Sequence, residues 1–334
     1  MIQPLDAEAM SQAEARWDSL AKLPGSLGAL EAAVIRLAGI QRTARPDLSK
    51  KRALVLAADN GVLAEGISPS AMEVTAAQAV NFARGGGCIN AFARRCGADV
   101  VSVDVGIATP YDEPGVVRRT VRHGTGNIAE GPAMSREECL EALEVGASLA
   151  REAARDGVRL VIVGEMGIGN TTTSSAVASL LLDQPLEAVT AKGAGSPQRV
   201  AHKIQVLKKA IEVNSPDSAD ALDVLAKVGG LDMAAMCGVY IGCAICGIAA
   251  IIDGVISSAA ALCAVRLVPA CRAYLFPSHC SAEPAGRLLL EALGFSPLIT
   301  AGLCLGEGTG GALGACLLDA ALDAYDHVVP LDAI

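Results

Sequence analysis

Fourteen residues at positions 161–174, VIVGEMGIGNTTTS, constrain the fold of this chain more than any other stretch. The apolar run 160–163 has the length and character of a buried parallel strand. Gly164-Glu165 ends it, Gly167 and Gly169 follow, and Asn170-Thr171-Thr172-Thr173 opens an apolar helix that continues to Leu182. A strand, a glycine turn and a helix start together make an anion site. The glycines let backbone approach a ligand, and first-turn N–H groups with Asn and Thr beside them can hold a phosphate or carboxylate. The spacing matches neither the Walker A loop nor the G-x-G-x-x-G dinucleotide turn. A βα turn that uses its glycines only to bend is the alternative, and Glu165 puts a negative charge where a bare phosphate cradle would not want one. A ribose hydroxyl pair beside the phosphate would accommodate both.

Strands and helices alternate along the rest of the chain without an obvious repeat, as in a doubly wound parallel sheet. Helices at 6–20 and 29–41 come before any strand, joined by the turn Pro24-Gly25-Ser26-Leu27-Gly28. They are expected to form a separate helical lobe with the last helix of the chain. Strands are expected at 52–58, 99–105, 248–253 and 273–276 in addition to the central one. Each ends in polar or glycine residues, at the carboxyl edge where open α/β sheets bind ligands. Ser135-Arg136-Glu137-Glu138 reads as a capping box opening a helix to about 156. A second glycine loop, 192–196, precedes a basic helix carrying His202, Lys203, Lys208 and Lys209, whose charges fit a solvated face. Small residues dominate: the 334 residues include 35 Gly, and aromatics are 3% against 52% hydrophobic overall, which suits close helix-on-sheet packing in a core that needs no staples.

Several function classes are argued against by the same sequence. A net charge of −9 with no basic, aromatic-interleaved patch speaks against nucleic acid. The uncharged run 237–252 is shorter than the roughly 20 residues that span a bilayer, and it is broken by Gly238, Gly242 and Gly247. Eleven cysteines, an odd number in mostly apolar contexts, and a start that is no signal peptide imply a reducing cytoplasm with cysteine as a small core residue. Cys243 and Cys246 form a Cys-x-x-Cys without a second pair or nearby His, so no metal is expected there.

Glu307, inside Leu305-Gly306-Glu307-Gly308-Thr309-Gly310-Gly311, is the physical choice for a catalyst. Its glycine neighbours leave the carboxylate open to a ligand, and dry surroundings raise its proton affinity toward that of a useful base. A glutamate balancing a helix dipole is the alternative. His279, in Pro277-Ser278-His279-Cys280-Ser281-Ala282-Glu283, fits a structural role better than an acid–base one.

Collinear motifs over nearly the whole chain carry a resemblance. They are Pro24-Gly25-Ser26-Leu27-Gly28, Asp104-Val105-Gly106, Gly126-Asn127-Ile128, Gly131-Pro132-Ala133-Met134-Ser135-Arg136, the turn from Gly164 to Thr172, Ser281-Ala282-Glu283 and Leu305-Gly306-Glu307-Gly308-Thr309-Gly310. The chain resembles the nicotinate-nucleotide:dimethylbenzimidazole phosphoribosyltransferases of cobalamin nucleotide-loop assembly. The resemblance implies a Rossmann-like parallel-sheet domain (46–311) and a small helical domain from both termini (1–45 plus 312–334). It also implies a dimer, no metal or organic cofactor, and cytoplasmic work. The implied reaction moves phosphoribose from nicotinate mononucleotide to a nitrogen of 5,6-dimethylbenzimidazole with inversion, giving α-ribazole phosphate and nicotinate. Residue by residue, Glu307 matches the general base. Gly167, Gly169, Asn170 and Thr171 match the phosphate turn; Gly193, Lys203 and Ser278 match other phosphate-side positions; Glu165 matches a residue near the ribose. Asn60, Ser70, Gln78 and Leu305 fall in the acceptor-base pocket. Asn60 stands where many relatives have histidine, the loop Ser68-Pro69-Ser70-Ala71-Met72 places its proline differently, and the loop 192–196 also departs from usual versions. Some relatives pair unlike subunits and accept phenols. The departures therefore leave open a phenol- or p-cresol-activating enzyme, or a silent paralogue supporting an active partner subunit, beside the plain homodimeric reading.

Overall fold

The computed structural model describes residues 1–192 and 196–334. Its strands are β1 (Lys51–Ala58), β2 (Ala98–Gly106), β3 (Val117–Arg118), β4 (Leu160–Met166), β5 (Ala249–Ile252) and β6 (Leu275–Pro277). The helices are α1 (Ala7–Ser19), α2 (Ala29–Gln41), α3 (Glu73–Ala83), α4 (Cys88–Cys96), α5 (Arg136–Arg155), α6 (Asn170–Leu182) and α7 (Leu186–Val189). They continue as α8 (Pro197–Asn214), α9 (Ala221–Val228), α10 (Leu231–Cys246), α11 (Val255–Leu267), α12 (Ala285–Leu293) and α13 (Thr309–His327).

The strands form one sheet in the order β3-β2-β1-β4-β5-β6, with every neighbouring pair parallel. Continuous apolar runs in β1, β4 and β5 are what a sheet covered on both faces requires, and their side chains are buried almost without exception. Chain direction across the sheet reverses between β1 and β4, so a crevice opens beyond their carboxyl ends. The expected α/β class is therefore the observed one. The run 237–252, too short for a membrane span, divides into the end of α10 and all of β5. Among the described residues no helix is long and apolar enough to cross a membrane.

Local chemistry sets the helix ends. Asp6 Oδ1 accepts from Ala9 N at 2.9 Å to open α1. Ser135 Oγ accepts from Glu138 N at 3.1 Å while the Glu138 carboxylate accepts from Ser135 N at 2.8 Å, completing the capping box of α5. The small residues do what their abundance suggests: a Cβ on Gly238 of α10 would lie 1.9 Å from the Leu143 carbonyl of α5, so only glycine allows that approach.

Helices from the two chain ends meet. The Trp17 and Tyr325 rings are 4.9 Å apart at 60°, Arg16 Nη2 donates to the Tyr325 carbonyl at 2.8 Å, and the Tyr325 hydroxyl donates to Ala44 O at 2.8 Å. α13 also packs against β4 and β5 through its first half. The boundary expected at 311/312 thus falls inside one continuous helix, which ties the terminal helices to the sheet. Lys208, expected on a solvated face, is exposed and paired with Glu187.

Candidate active site

Beyond β1, β4 and β5 lies a cleft of about 400 Å³. One wall is the turn at the end of β4. Gly169, at φ 99°, caps α6, and the amide of Ile168 donates to Thr75 Oγ1 of α3 at 3.1 Å, fixing the turn against its neighbour. Glu165, Gly167, Gly169, Asn170 and Thr171 all line the cleft, joined by Gly254, Val255 and Ile256 at the start of α11. Two helix N-termini therefore face the same space, a favourable arrangement for an anionic group.

Asn170 sits between two buried carboxylates. Its Nδ2 donates to Glu165 Oε2 at 2.5 Å and to Asp232 Oδ2 at 2.9 Å. Burial, reinforced by the Asp232 charge, raises Glu165 to about 8, and burial raises Asp232 to about 6. Removing two acids from water around one amide makes it costly to ionise both, so Glu165 holds a proton at neutral pH. A carboxyl whose folded pKa is raised stabilises the fold fully below its unfolded value, and that contribution drains away as pH rises toward about 8. Glu165→Gln, which cannot ionise, is expected to flatten the fall in Tm that the parent shows between about pH 4.5 and 8. Parallel thermal melts across that range check this, and identical slopes for both proteins would contradict it.

Glu307 stands opposite, on the turn before α13. Its φ is 64°, between Gly306 at 86° and Gly308 at 87°, so three successive residues are left-handed. Asp253 and Gly164 both help to hold this turn. The Asp253 carboxylate, buried at the end of β5, accepts from Gly308 N at 3.0 Å through Oδ2 and from Gly311 N at 2.9 Å through Oδ1. Gly164 of β4 lets the turn come close, since a Cβ there would lie 2.5 Å from the Glu307 carbonyl oxygen. The Glu307 carboxyl faces the Ile89 N–H in the first turn of α4, while its Oε2 is buried with no hydrogen-bond partner among the described residues. Burial raises its proton affinity, the Ile89 N–H opposes this, and the Asp253 charge adds to it. A carboxylate so placed is a better base than one in water.

Ser70 and Leu305 also border the cleft, Leu305 as an exposed side chain. Other expected site residues are not among those that line the cleft. Lys203 is 3% exposed and sits behind the wall, its Nζ donating to Thr171 Oγ1 at 3.0 Å and to Ala191 O at 3.2 Å, and burial lowers it to about 8. It orients Thr171 rather than lining the cleft. Ser278 Oγ donates to Ile252 O at 2.6 Å, turned into the sheet. Asn60 is fully buried, with Oδ1 accepting from Thr173 Oγ1 at 3.3 Å, and Gln78 accepts from Asn81 Nδ2 at 3.0 Å on α3. Neither lines the cleft: for Asn60, position after a strand selects the right edge of the sheet but not the direction of the side chain, and Gln78, expected from the resemblance, sits in the middle of α3. Gly193 lies outside the described residues. His279 is buried with Nδ1 3.0 Å from Ser278 Oγ, and burial lowers its proton affinity, in keeping with the structural role expected of it. Asp232 and Asp253 are site residues that no motif of the sequence marks. A charge directly following an apolar strand was the available signal for Asp253.

The sequence profile of a family described as Phosphoribosyltransferase matches residues 2–333. The nicotinate-nucleotide–dimethylbenzimidazole phosphoribosyltransferase of Acetivibrio thermocellus is 48% identical over 328 residues, covering 98% of this chain and 93% of that protein. The protein of the same name from Desulforamulus reducens is also 48% identical, over 96% of this chain and 92% of its own. The crystal structure of the Thermus thermophilus enzyme of that name superposes with a TM-score of 0.91 at 41% identity, covering 98% of both chains. With this similarity running from end to end, the chain belongs to the nicotinate-nucleotide–dimethylbenzimidazole phosphoribosyltransferase family.

Proposed function

We propose that this enzyme transfers phosphoribose from nicotinate mononucleotide to a ring nitrogen of 5,6-dimethylbenzimidazole, with inversion at the anomeric carbon, giving α-ribazole 5′-phosphate and nicotinate. The observation that carries the reading is Glu307, which lines the cleft on a turn opposite the start of α6 with one buried carboxyl oxygen, Oε2, lacking a hydrogen-bond partner among the described residues. Nicotinate leaves with the electron pair of the C1′–N bond. That nitrogen is cationic in the nucleotide, so departure needs little acid help. The acceptor nitrogen forms the new bond to C1′, and its N–H proton passes to the Glu307 carboxylate. The helix starts of α6 and α11 suit the 5′-phosphate, and protonated Glu165 beside Asn170 can meet ribose hydroxyls without charge repulsion. Most of the acceleration then comes from positioning and fixed electrostatics.

A chromatographic assay of the purified chain tests this. Nicotinate mononucleotide is supplied with dimethylbenzimidazole, adenine, phenol or p-cresol in separate reactions, and nicotinate and the new riboside phosphate are followed. Product with the benzimidazole is expected. Product with phenols alone would reassign the acceptor to O-glycosylation, and none with any acceptor would overturn the reading in favour of a silent subunit.

A further inference from the structure

A second cavity, of about 420 Å³, lies away from the catalytic cleft, between α2, the end of β6 and the segment following α12. Among the described residues its lining is apolar apart from Ser296 and one cation, Arg36, and holds no acidic residue. Arg36 is held by rings rather than by charges. Its guanidinium lies 4.1 Å from the Phe276 ring centroid and 5.4 Å from that of Phe295. Among the described residues it makes no ion pair and no hydrogen bond. A neighbouring guanidinium, Arg272, shares the Phe295 ring at 4.8 Å but has work of its own: Nε donates to Leu293 O at 2.5 Å and Nη2 to Gly294 O at 2.7 Å, closing the end of α12.

The Phe276 and Phe295 rings meet the guanidinium of Arg36 and leave its N–H edge without a protein partner among the described residues. That edge matches a planar, two-oxygen acceptor. Burial and the nearby Arg272 charge both press against the cationic form of Arg36, a cost that a bound anion would relieve. A phosphate ester would leave most of its oxygens facing carbon here, whereas a carboxylate on an apolar body matches both the single fork and the lining. The volume lies within the range of small-molecule sites. We infer that this cavity is a binding site for a small apolar monocarboxylate, its carboxylate on the edge of Arg36 and its body against Met10, Ala33, Phe276 and Leu298.

Calorimetric titration of the full chain with benzoate, and with benzamide as its uncharged counterpart, tests the inference. Benzoate is expected to bind, benzamide about tenfold or more weakly, and Arg36→Met to weaken benzoate by at least about tenfold, with Arg36→Lys intermediate because it keeps charge but not the fork. Absence of benzoate binding, equal binding of benzamide, or unchanged affinity in Arg36→Met would each overturn it. Should Arg36→Met fail to fold, crystals of the unaltered protein grown with 4-bromobenzoate decide the matter. A bromine anomalous peak in this cavity supports the site; a peak only elsewhere, no peak, or a second copy of the chain filling the cavity rejects it.

Discussion

Glu307→Gln is expected to lower kcat by about 10²–10⁴-fold, the usual worth of a positioned general base, while leaving the affinity for nicotinate mononucleotide nearly unchanged. The split follows from the geometry. The nucleotide is proposed to rest on the turn at the end of β4 and the starts of α6 and α11, whereas Glu307 meets only the acceptor's proton. A rise in KM for the nucleotide with kcat intact would place Glu307 in binding instead. A second substitution separates chemistry from folding. A non-glycine residue at φ 64° carries backbone strain of about 1–3 kcal/mol. Glu307→Gly relieves that strain and removes a half-buried carboxyl, so the variant should be inactive yet at least as stable as the parent in urea. An inactive variant with a markedly lower urea midpoint would make the loss structural. A glutamate kept where glycine is the easier residue argues that the position is held for chemistry.

The fold was readable because its signals are local and repeated. Apolar runs at 52–58 and 160–163 are too continuous for a half-exposed strand, and each stops at a polar or glycine residue that the carboxyl-edge rule picks out. Other elements left no such trace. β3 is two residues long and, among the described residues, pairs with β2 alone. α11 is buried around its first ten residues, so VISSAAALCA shows no apolar stripe to count. In the site, the residues on the glycine turns were legible because glycine advertises close approach, and they line the cleft together with Ser70. Asn60, Gln78 and Ser278 have the right chemistry on the right edge, but their side chains are committed to Thr173, Asn81 and the Ile252 carbonyl. Such orientation depends on partners more than a hundred residues away in the case of Thr173, and no short motif encodes it. Asp232 is subtler. It matters because Asn170, sixty-two residues earlier, reaches it.

Asp253→Asn is the sharper test of how the site is built, because Asp253 is expected to act through Glu307 without touching substrate. Both of its oxygens accept main-chain N–H groups at the start of α13, and the amide can replace only one of them. The orphaned buried N–H costs about 1–3 kcal/mol, which a urea titration registers. The left-handed turn then loses one of its two bonds to Asp253, and a displacement of about 1 Å at Glu307 is enough to lower kcat by up to about 10²-fold. Loss of packing alone could imitate that fall, so the pH profile is the discriminating readout. The base must be ionised to work, and kcat therefore rises with pH through its pKa. Burial sets that midpoint above the ordinary glutamate range, and the Asp253 charge lifts it further. Neutralising Asp253 must shift the rising limb of kcat to lower pH, even as the plateau falls. A lower plateau with an unmoved limb would leave Asp253 a structural clamp, and a limb displaced upward would contradict the electrostatic link between the two carboxylates.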